Sequence, residues 1–289
     1  MRDFQVLFDH AEPSELPDPV YAAYGELGFP PAAPDRPWVF ANFVQTLDGI
    51  VSLLGAEASG SDISQSPEDR WLMDLLRAHA DAVLIGMGTL RAEAGLGRPG
   101  PRGPVFRIVN PAIRQLREKL QRGPERNILI TGSSDIQLDR YAAFDGKRVE
   151  PFLLTTSGAA EKLASQLRPW PQVRMIACGE GQCVDLKQAL CLLRRQFGIR
   201  YLLCEGGPAL YSNLLELDLI DEKFLTVSPI EVGSRLPQPE GSRATVPIRP
   251  TAFAGGGLSK EEAVHWEWLS CRKVGDHQFH RFRRRRDKQ

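Results

Sequence analysis

Residues 201–211 read Tyr-Leu-Leu-Cys-Glu-Gly-Gly-Pro-Ala-Leu-Tyr, and their types and spacing suit the binding of a phosphate beside a carboxylate. Tyr201 to Cys204 form the apolar run of a short buried strand. Pro208 fits the first turn of a helix in which Ala209, Leu210, Leu214 and Leu215 recur at helical spacing. Gly206 and Gly207 carry no Cβ, so a ligand can lie against their backbone. The free N–H groups between Gly206 and Leu210, together with the helix dipole, favour an anion at the helix start. Glu205 is then held at the carboxyl end of a strand, where open α/β sheets place their ligand crevice. The same residues also fit an ordinary strand-to-helix turn, where glycine is common.

Such a turn needs a sheet behind it. Trp38 to Val44 reads as a buried strand that ends in Gln45-Thr46-Leu-Asp48-Gly49, where Asp-Gly supplies a turn. Ser66 is a helix cap with Pro67 at the first helical position, and Trp71, Leu72, Leu75, Leu76 and His79 follow on one face. Asp69, near that helix start, either complements the dipole or reads the hydrogen-bonding edge of a heterocycle. Ala82 to Ile85 is a strand that runs into Gly86-Met-Gly88-Thr89-Leu-Arg91, where Arg91 replaces the third glycine of a dinucleotide fingerprint and leaves a glycine-lined loop near a cofactor. Further strands read at Val105 to Val109, Asn127 to Thr131, Phe152 to Thr155 and Val173 to Ala177, with helices at Ala112 to Gln121, Ala159 to Leu167 and Asp185 to Phe197. This alternation predicts an α/β fold with a mostly parallel central sheet and helices on both faces. Phe224 to Ile230 reads as a strand of mixed polarity. Trp266 to Cys271 and Gln278 to Phe282, joined through a Gly275-Asp276 turn, predict a C-terminal antiparallel hairpin at the sheet edge.

The bulk composition narrows the function classes. With 289 residues and 42% hydrophobic content, the chain can bury a full core without disulfides or metal. Its 36 basic and 36 acidic residues cancel, so no global field draws it to nucleic acid or membrane. The five cysteines are odd in number and lack Cys-x-x-Cys spacing, which predicts reduced thiols in a cytoplasmic protein and no zinc site. His10-Ala-Glu12 matches half of a zinc-deaminase signature by chance, because no cysteine precedes 178. No stretch approaches about 18 apolar residues. The basic run from Arg281 to Lys288 reads either as the solvated end of the last strand or as a patch for a polyanion. Residues 1–36, rich in proline, read as an extension draped on a single domain over 37–289.

Three segments carry a resemblance together: Ala41-Asn-Phe-Val-Gln-Thr-Leu-Asp-Gly49, Leu75 to Glu93, and Glu205-Gly-Gly-Pro-Ala-Leu with Leu219-Ile-Asp-Glu222. They resemble the reductase domain of bacterial riboflavin biosynthesis, the C-terminal half of the bifunctional deaminase-reductase, in its stand-alone branch. The resemblance implies a dihydrofolate reductase-like fold and the reduction by NADPH of 5-amino-6-(5-phosphoribosylamino)uracil to its ribityl form. It also implies a homodimer. Carried over, Thr46, Gly88, Thr89, Thr131 and the run Gly206, Gly207, Pro208, Ala209 and Leu210 would hold NADPH, with Ser133 beside Thr131 in a 2′-phosphate pocket. Arg77, Ser59 and Asn42 would bind substrate, and Glu205 and Asp69 would serve catalysis. Two segments depart from the family pattern: Glu93-Ala-Gly-Leu-Gly-Arg98 replaces an Asp-Asn-Pro-x-Leu-Thr-x-Arg run, and Asn110-Pro111 replaces Asp-Ser. A pterin or dihydrofolate reductase of the same fold is the alternative, with Asp69 as its ring-reading carboxylate. A nucleotide-binding protein without catalysis is a second.

Overall fold

The computed structural model describes residues 3–14, 16–53, 60–97, 100–237, 248–255 and 257–286. In chain order the strands are β1 (Gln5–Asp9), β2 (Trp38–Gln45), β3 (Ala82–Gly86), β4 (Arg126–Ile130), β5 (Glu150–Thr155), β6 (Arg174–Ala177), β7 (Tyr201–Cys204), β8 (Glu222–Val227), β9 (Trp266–Val274) and β10 (His277–Arg284). The helices are α1 (Tyr21–Tyr24), α2 (Ser61–Ser64), α3 (Pro67–His79), α4 (Met87–Gly95), α5 (Pro111–Lys119), α6 (Ser157–Leu163), α7 (Leu186–Phe197) and α8 (Pro208–Glu216). The strands form one ten-stranded sheet in the order β1-β9-β10-β8-β2-β7-β3-β4-β5-β6. From β8 to β6 every pairing is parallel. From β8 outward to β1 every pairing is antiparallel.

Strand alternation sends side chains to two cores. Phe40, Val83, Ile85 and Leu203 join the helix faces of α3, α4 and α5. Val39, Ala41, Leu84, Leu202 and Cys204 join α7 and α8 on the other side. Both faces of the parallel half are therefore covered, as burial of such a sheet requires. The expected α/β architecture is the one found. Because β7 inserts between β2 and β3, the chain reverses direction across the sheet there, and crevices form at such switch points.

Three expectations are corrected. Val105 to Val109 is not a strand. Side chains replace the missing ladder: Asn127 bonds both N–H and C=O of Phe106, Glu125 accepts from Ile108 N, and Asp74 accepts from the N–H groups of Val109 and Asn110. The hairpin β9–β10 is not the sheet edge, because β1 from the N-terminal segment pairs outside β9. Phe4, Tyr21, Tyr24 and Leu27 of that segment lie in the core. The basic C-terminal run is not simply a solvated strand end over its described part: Arg285 and Arg286 are exposed, but most of the run is ion-paired within the fold. Arg281 pairs with Glu222, Arg283 with Glu12 and Glu222, Arg284 with Asp218, and Arg286 with Asp218 and Asp221.

Asn110-Pro111 also finds its explanation. Asn110 caps α5 by accepting from Ala112 N and Ile113 N, and Pro111 takes the first helical position. All five cysteines are free thiols. No helix among the described residues is long and apolar enough to cross a membrane.

Candidate active site

Two strand-to-helix turns interlock at the carboxyl ends of neighbouring strands β3 and β7. Gly86 N donates to Gly206 O at 2.8 Å, and Glu205 N donates to Leu84 O at 3.1 Å. Gly206 has φ +88°, a conformation glycine adopts without strain, and is joined to Gly207 by a cis peptide. A Cβ on Gly207 would stand 2.9 Å from Thr89 Oγ1, so only a bare backbone leaves this groove open. Gly88 has open space where a Cβ would be. The glycine-lined segment after β3 is a tight turn at Gly86 rather than a loop, because α4 begins at Met87 and places Gly88 and Thr89 in its first turn.

The helix starts differ in a way that bears on ligand binding. Ser66, Asn110, Thr156 and Asp185 each cap a helix with a side-chain oxygen, on α3, α5, α6 and α7. Helices α4 and α8 have no side-chain cap. Their first N–H groups thus keep their hydrogen-bonding capacity beside the two glycine turns. This is the donor set a diphosphate needs.

Below this crest, Arg77 of α3 meets Glu205. Arg77 Nε lies 2.6 Å from Glu205 Oε1 and its second terminal nitrogen 2.7 Å from Oε2. The remaining nitrogen donates to Arg107 O at 2.8 Å. Burial opposes the Arg77 charge, but Glu205 and Asp74 hold its pKa above the ordinary value. The resemblance assigns Arg77 to the substrate and Glu205 to catalysis; in the structure each is committed to the other.

Near the first turn of α3 the situation reverses. Asn42 of β2 pairs with Phe224, and Val44 with Thr226, in the parallel β2–β8 ladder. Asn42 and Thr226 thus share the sheet face beneath α3, with Asp69 above them. Asn42 Oδ1 and Thr226 Oγ1 are buried without a hydrogen-bond partner. Desolvation pushes the Asp69 carboxyl above its usual range, while the Thr226 and Ser64 hydroxyls and His277 act the other way. Thr226 is near enough to temper that charge but does not meet a partner in hydrogen-bonding geometry.

Other expected site residues have local duties. Thr46 Oγ1 donates to Asp48 and accepts from Ile50 N, which fixes the turn after β2. Thr131 Oγ1 accepts from Ser133 N at 3.1 Å. Gly132 between them cannot carry a Cβ, which would meet Gln182 O at 2.2 Å. Beside this turn lies a cavity of about 740 Å³ whose lining includes Ser133, Arg91, Arg102 and Arg140. Arg102 is already paired with Asp145. Ser59 and Arg98 lie outside the described residues. Thr226 and Ser64 were not singled out by the sequence; the one signal was the mixed polarity of the strand from Phe224.

Fold and crest together define an open α/β protein with its crevice at the β2/β7/β3 switch point. The chain belongs to the family described as the RibD C-terminal domain, whose model matches residues 37–277. It is 29% identical over 202 residues to the 2,5-diamino-6-ribosylamino-4(3H)-pyrimidinone 5′-phosphate reductase of Archaeoglobus fulgidus, covering 69% of this chain and 84% of the relative. The Saccharomyces cerevisiae enzyme of the same name is 24% identical over 206 residues, covering 68% and 74%. Among solved structures, a pyrimidine reductase-like protein from Corynebacterium diphtheriae superposes with TM-score 0.68 at 20% identity, covering 93% of this chain and 100% of that one. RibD of Acinetobacter baumannii gives TM-score 0.62 at 17% identity, covering 87% and 59%.

Proposed function

We propose that the protein is an NADPH-dependent oxidoreductase that reduces the ribosyl group of a ribosylaminopyrimidine 5′-phosphate. The observation that carries this is the pair of interlocked glycine turns under two uncapped helix starts. Gly206, Gly207, Ala209 and Leu210 on one side, with Gly88 and Thr89 on the other, would hold the cofactor diphosphate; Pro208 fixes the start of α8 but has no N–H to donate. Thr131 and Ser133, with Arg91 and Arg140 at the adjoining cavity, supply the hydroxyl and guanidinium donors that suit a 2′-phosphate. Thr46 would support this site through the turn it fixes rather than by direct contact.

When bound, a reduced nicotinamide supplies the hydride that the ribosyl carbon accepts. The chain's own contribution is placement. The Arg77–Glu205 pair ties α3 to the end of β7 and to the backbone of Arg107, so it sets the depth and width of the crevice. Asp69, Asn42 and Thr226 face the pyrimidine side. Neither a uracil nor a diaminopyrimidinone ring is itself reduced, so the chemistry is common to both.

Fluorescence titration with NADPH and NADH, followed by absorbance at 340 nm with a panel of ribosylaminopyrimidine phosphates, tests the reading. Tighter binding of NADPH and its substrate-dependent oxidation are expected. A folded protein that binds neither nucleotide would sink it.

A further inference from the structure

Strand β8 divides its side chains between two unlike faces. Glu222, Phe224 and Thr226 are buried, whereas Lys223, Leu225 and Val227 alternate with them as half-buried residues on the face that meets α8. Lys223 stands between Ala41 of β2 and Phe282 of β10 in the ladder, and its Nζ lies 5.3 Å from the centre of the Tyr211 ring on α8. Among the described residues it has no hydrogen bond and no ion pair. The acids on this side are already taken: Asp218 pairs with Arg284 and Arg286, and Asp221 with Arg36 and Arg286. Glu222 turns to the opposite face, where it meets Arg281 and Arg283. Tyr211, and Cys204 beside it, supply no counter-charge, because burial pushes the phenol up and the thiol up to about 12. A ring face attracts an ammonium only weakly and does not replace a carboxylate. Burial therefore pulls the Lys223 amine down to about 8, as desolvation does to an unpaired lysine.

We propose that Lys223 is a covalent capture site for aldehydes, aromatic ones foremost, on the α8 face of β8 beside Tyr211 and Phe282. The lone pair of the neutral amine attacks the aldehyde carbon. The two amine protons leave with the carbonyl oxygen as water, and a C=N bond takes the place of the C=O. The step is reversible and needs no oxidant, reductant or metal. Lysines placed in apolar surroundings are the ones that form such imines, since the neutral amine is the nucleophile. A flat ring on the aldehyde gains contact with the neighbouring aromatic side chains. Lys119 lacks this setting, because its Nζ lies 2.6 Å from the Asp18 carboxylate. Lys147, Lys187 and Lys260 are exposed and provide internal references.

The experiment incubates the full-length protein with pyridoxal at neutral pH, fixes any imine with sodium borohydride, which delivers a hydride to the imine carbon, and maps the adducts by peptide mass spectrometry. Lys223 is expected to carry the first equivalent, about tenfold or more ahead of Lys147, Lys187 and Lys260. Repeated across pH, its labelling should level off above about 8, whereas an ordinary solvated lysine goes on gaining until about pH 10. Lys223→Arg should lose the fast adduct and keep the slow ones. Labelling of Lys223 no faster than the exposed lysines, or only after unfolding in urea, overturns the proposal. So does a rate at Lys223 that keeps climbing past pH 10, or a fast first equivalent that survives in Lys223→Arg. Neither NADPH nor a pyrimidine enters the test, so its outcome is independent of the proposed reduction.

Discussion

Helix α3 has two unlike ends. Its later turns carry Asp74, Arg77 and His79, all buried and all partnered: Asp74 accepts from two backbone N–H groups, Arg77 forks onto Glu205, and His79 sits between Leu75 O and the Tyr21 hydroxyl. Its first turn carries Asp69 above two buried atoms with no partner. A polar group that the protein has already satisfied holds the fold together. One left unsatisfied at the mouth of a crevice is available to a ligand. The difference teaches that burial and charge alone do not mark a binding residue; an unmet hydrogen bond is a further sign only where a crevice gives a ligand access, since Arg281 and Thr155 also carry unmet atoms.

Breaking the partnered end should show first in stability. Arg77→Met leaves the Glu205 carboxylate buried without its cation, at a cost of about 3–5 kcal/mol. Thermal or urea unfolding should reveal it. Adding Glu205→Leu to Arg77→Met should recover much of the loss, since removing both charges also removes the unpaired one. A single variant as stable as the wild type would make the pair dispensable.

At the glycine crest the expected damage is to binding, with the fold retained. Gly207 has an ordinary φ of −68°, and the atom its Cβ would meet is the end of the Thr89 side chain. Gly207→Val should therefore fold and lose NADPH affinity by on the order of a hundredfold, about 2.7 kcal/mol. Tight NADPH binding by the folded variant would move the diphosphate elsewhere.

His79 sharpens the contrast through pH. Because Leu75 O can only accept, Nδ1 must carry the proton, so Nε2 accepts from Tyr21. Burial pulls the imidazole down to about 4 from its usual 6.5. Between those values the unfolded chain binds the extra proton and the folded one does not, so stability rises with pH. As pH falls from 6.5 to about 4 this group should remove up to about 3 kcal/mol, with no further loss below. His79→Gln should flatten that part of the stability curve, measured by urea unfolding across the window. An equally steep curve in the variant would assign the acid sensitivity elsewhere.

The parallel half of the sheet was legible because its strands are apolar runs and its helices carry apolar residues at helical spacing, with a side-chain cap readable at Ser66; the caps at Asn110 and Asp185 emerge from the structure. Local chemistry of that kind is written in neighbouring residues. Strand β1 was not legible: its five residues are half exposed and their partner strand lies more than 250 positions away. Val105 to Val109 is an apolar, β-branched run broken only by Arg107, as a buried strand would be, but its backbone is satisfied by Asn127, Glu125 and Asp74, and no local pattern reports such side chains. The arginines near the C-terminus look unpaired in sequence because Glu12, Asp218, Asp221 and Glu222 reach them only through the fold. Glu205, Arg77 and Asp69 could be nominated from motifs, but which of them is already engaged depends on an approach across 128 residues, as between Arg77 and Glu205.

The smallest expected effect compares two asparagines. Asn127 is fully buried and bonds both the N–H and the C=O of Phe106, whereas Asn42 Oδ1 bonds nothing. Asn127→Leu strands two backbone groups and should cost roughly 2–4 kcal/mol, since each buried unmet group costs about 1–3. Asn42→Leu and Thr226→Val remove atoms that are already unmet, so their melting curves should lie within about 0.5 kcal/mol of the wild type or slightly above it. Stability that is retained while substrate-dependent NADPH oxidation is lost is what separates a binding group from a structural one. If Asn42→Leu instead melts as early as Asn127→Leu, Asn42 belongs with the fold, and the unmet oxygen beneath Asp69 is no longer evidence for a ligand.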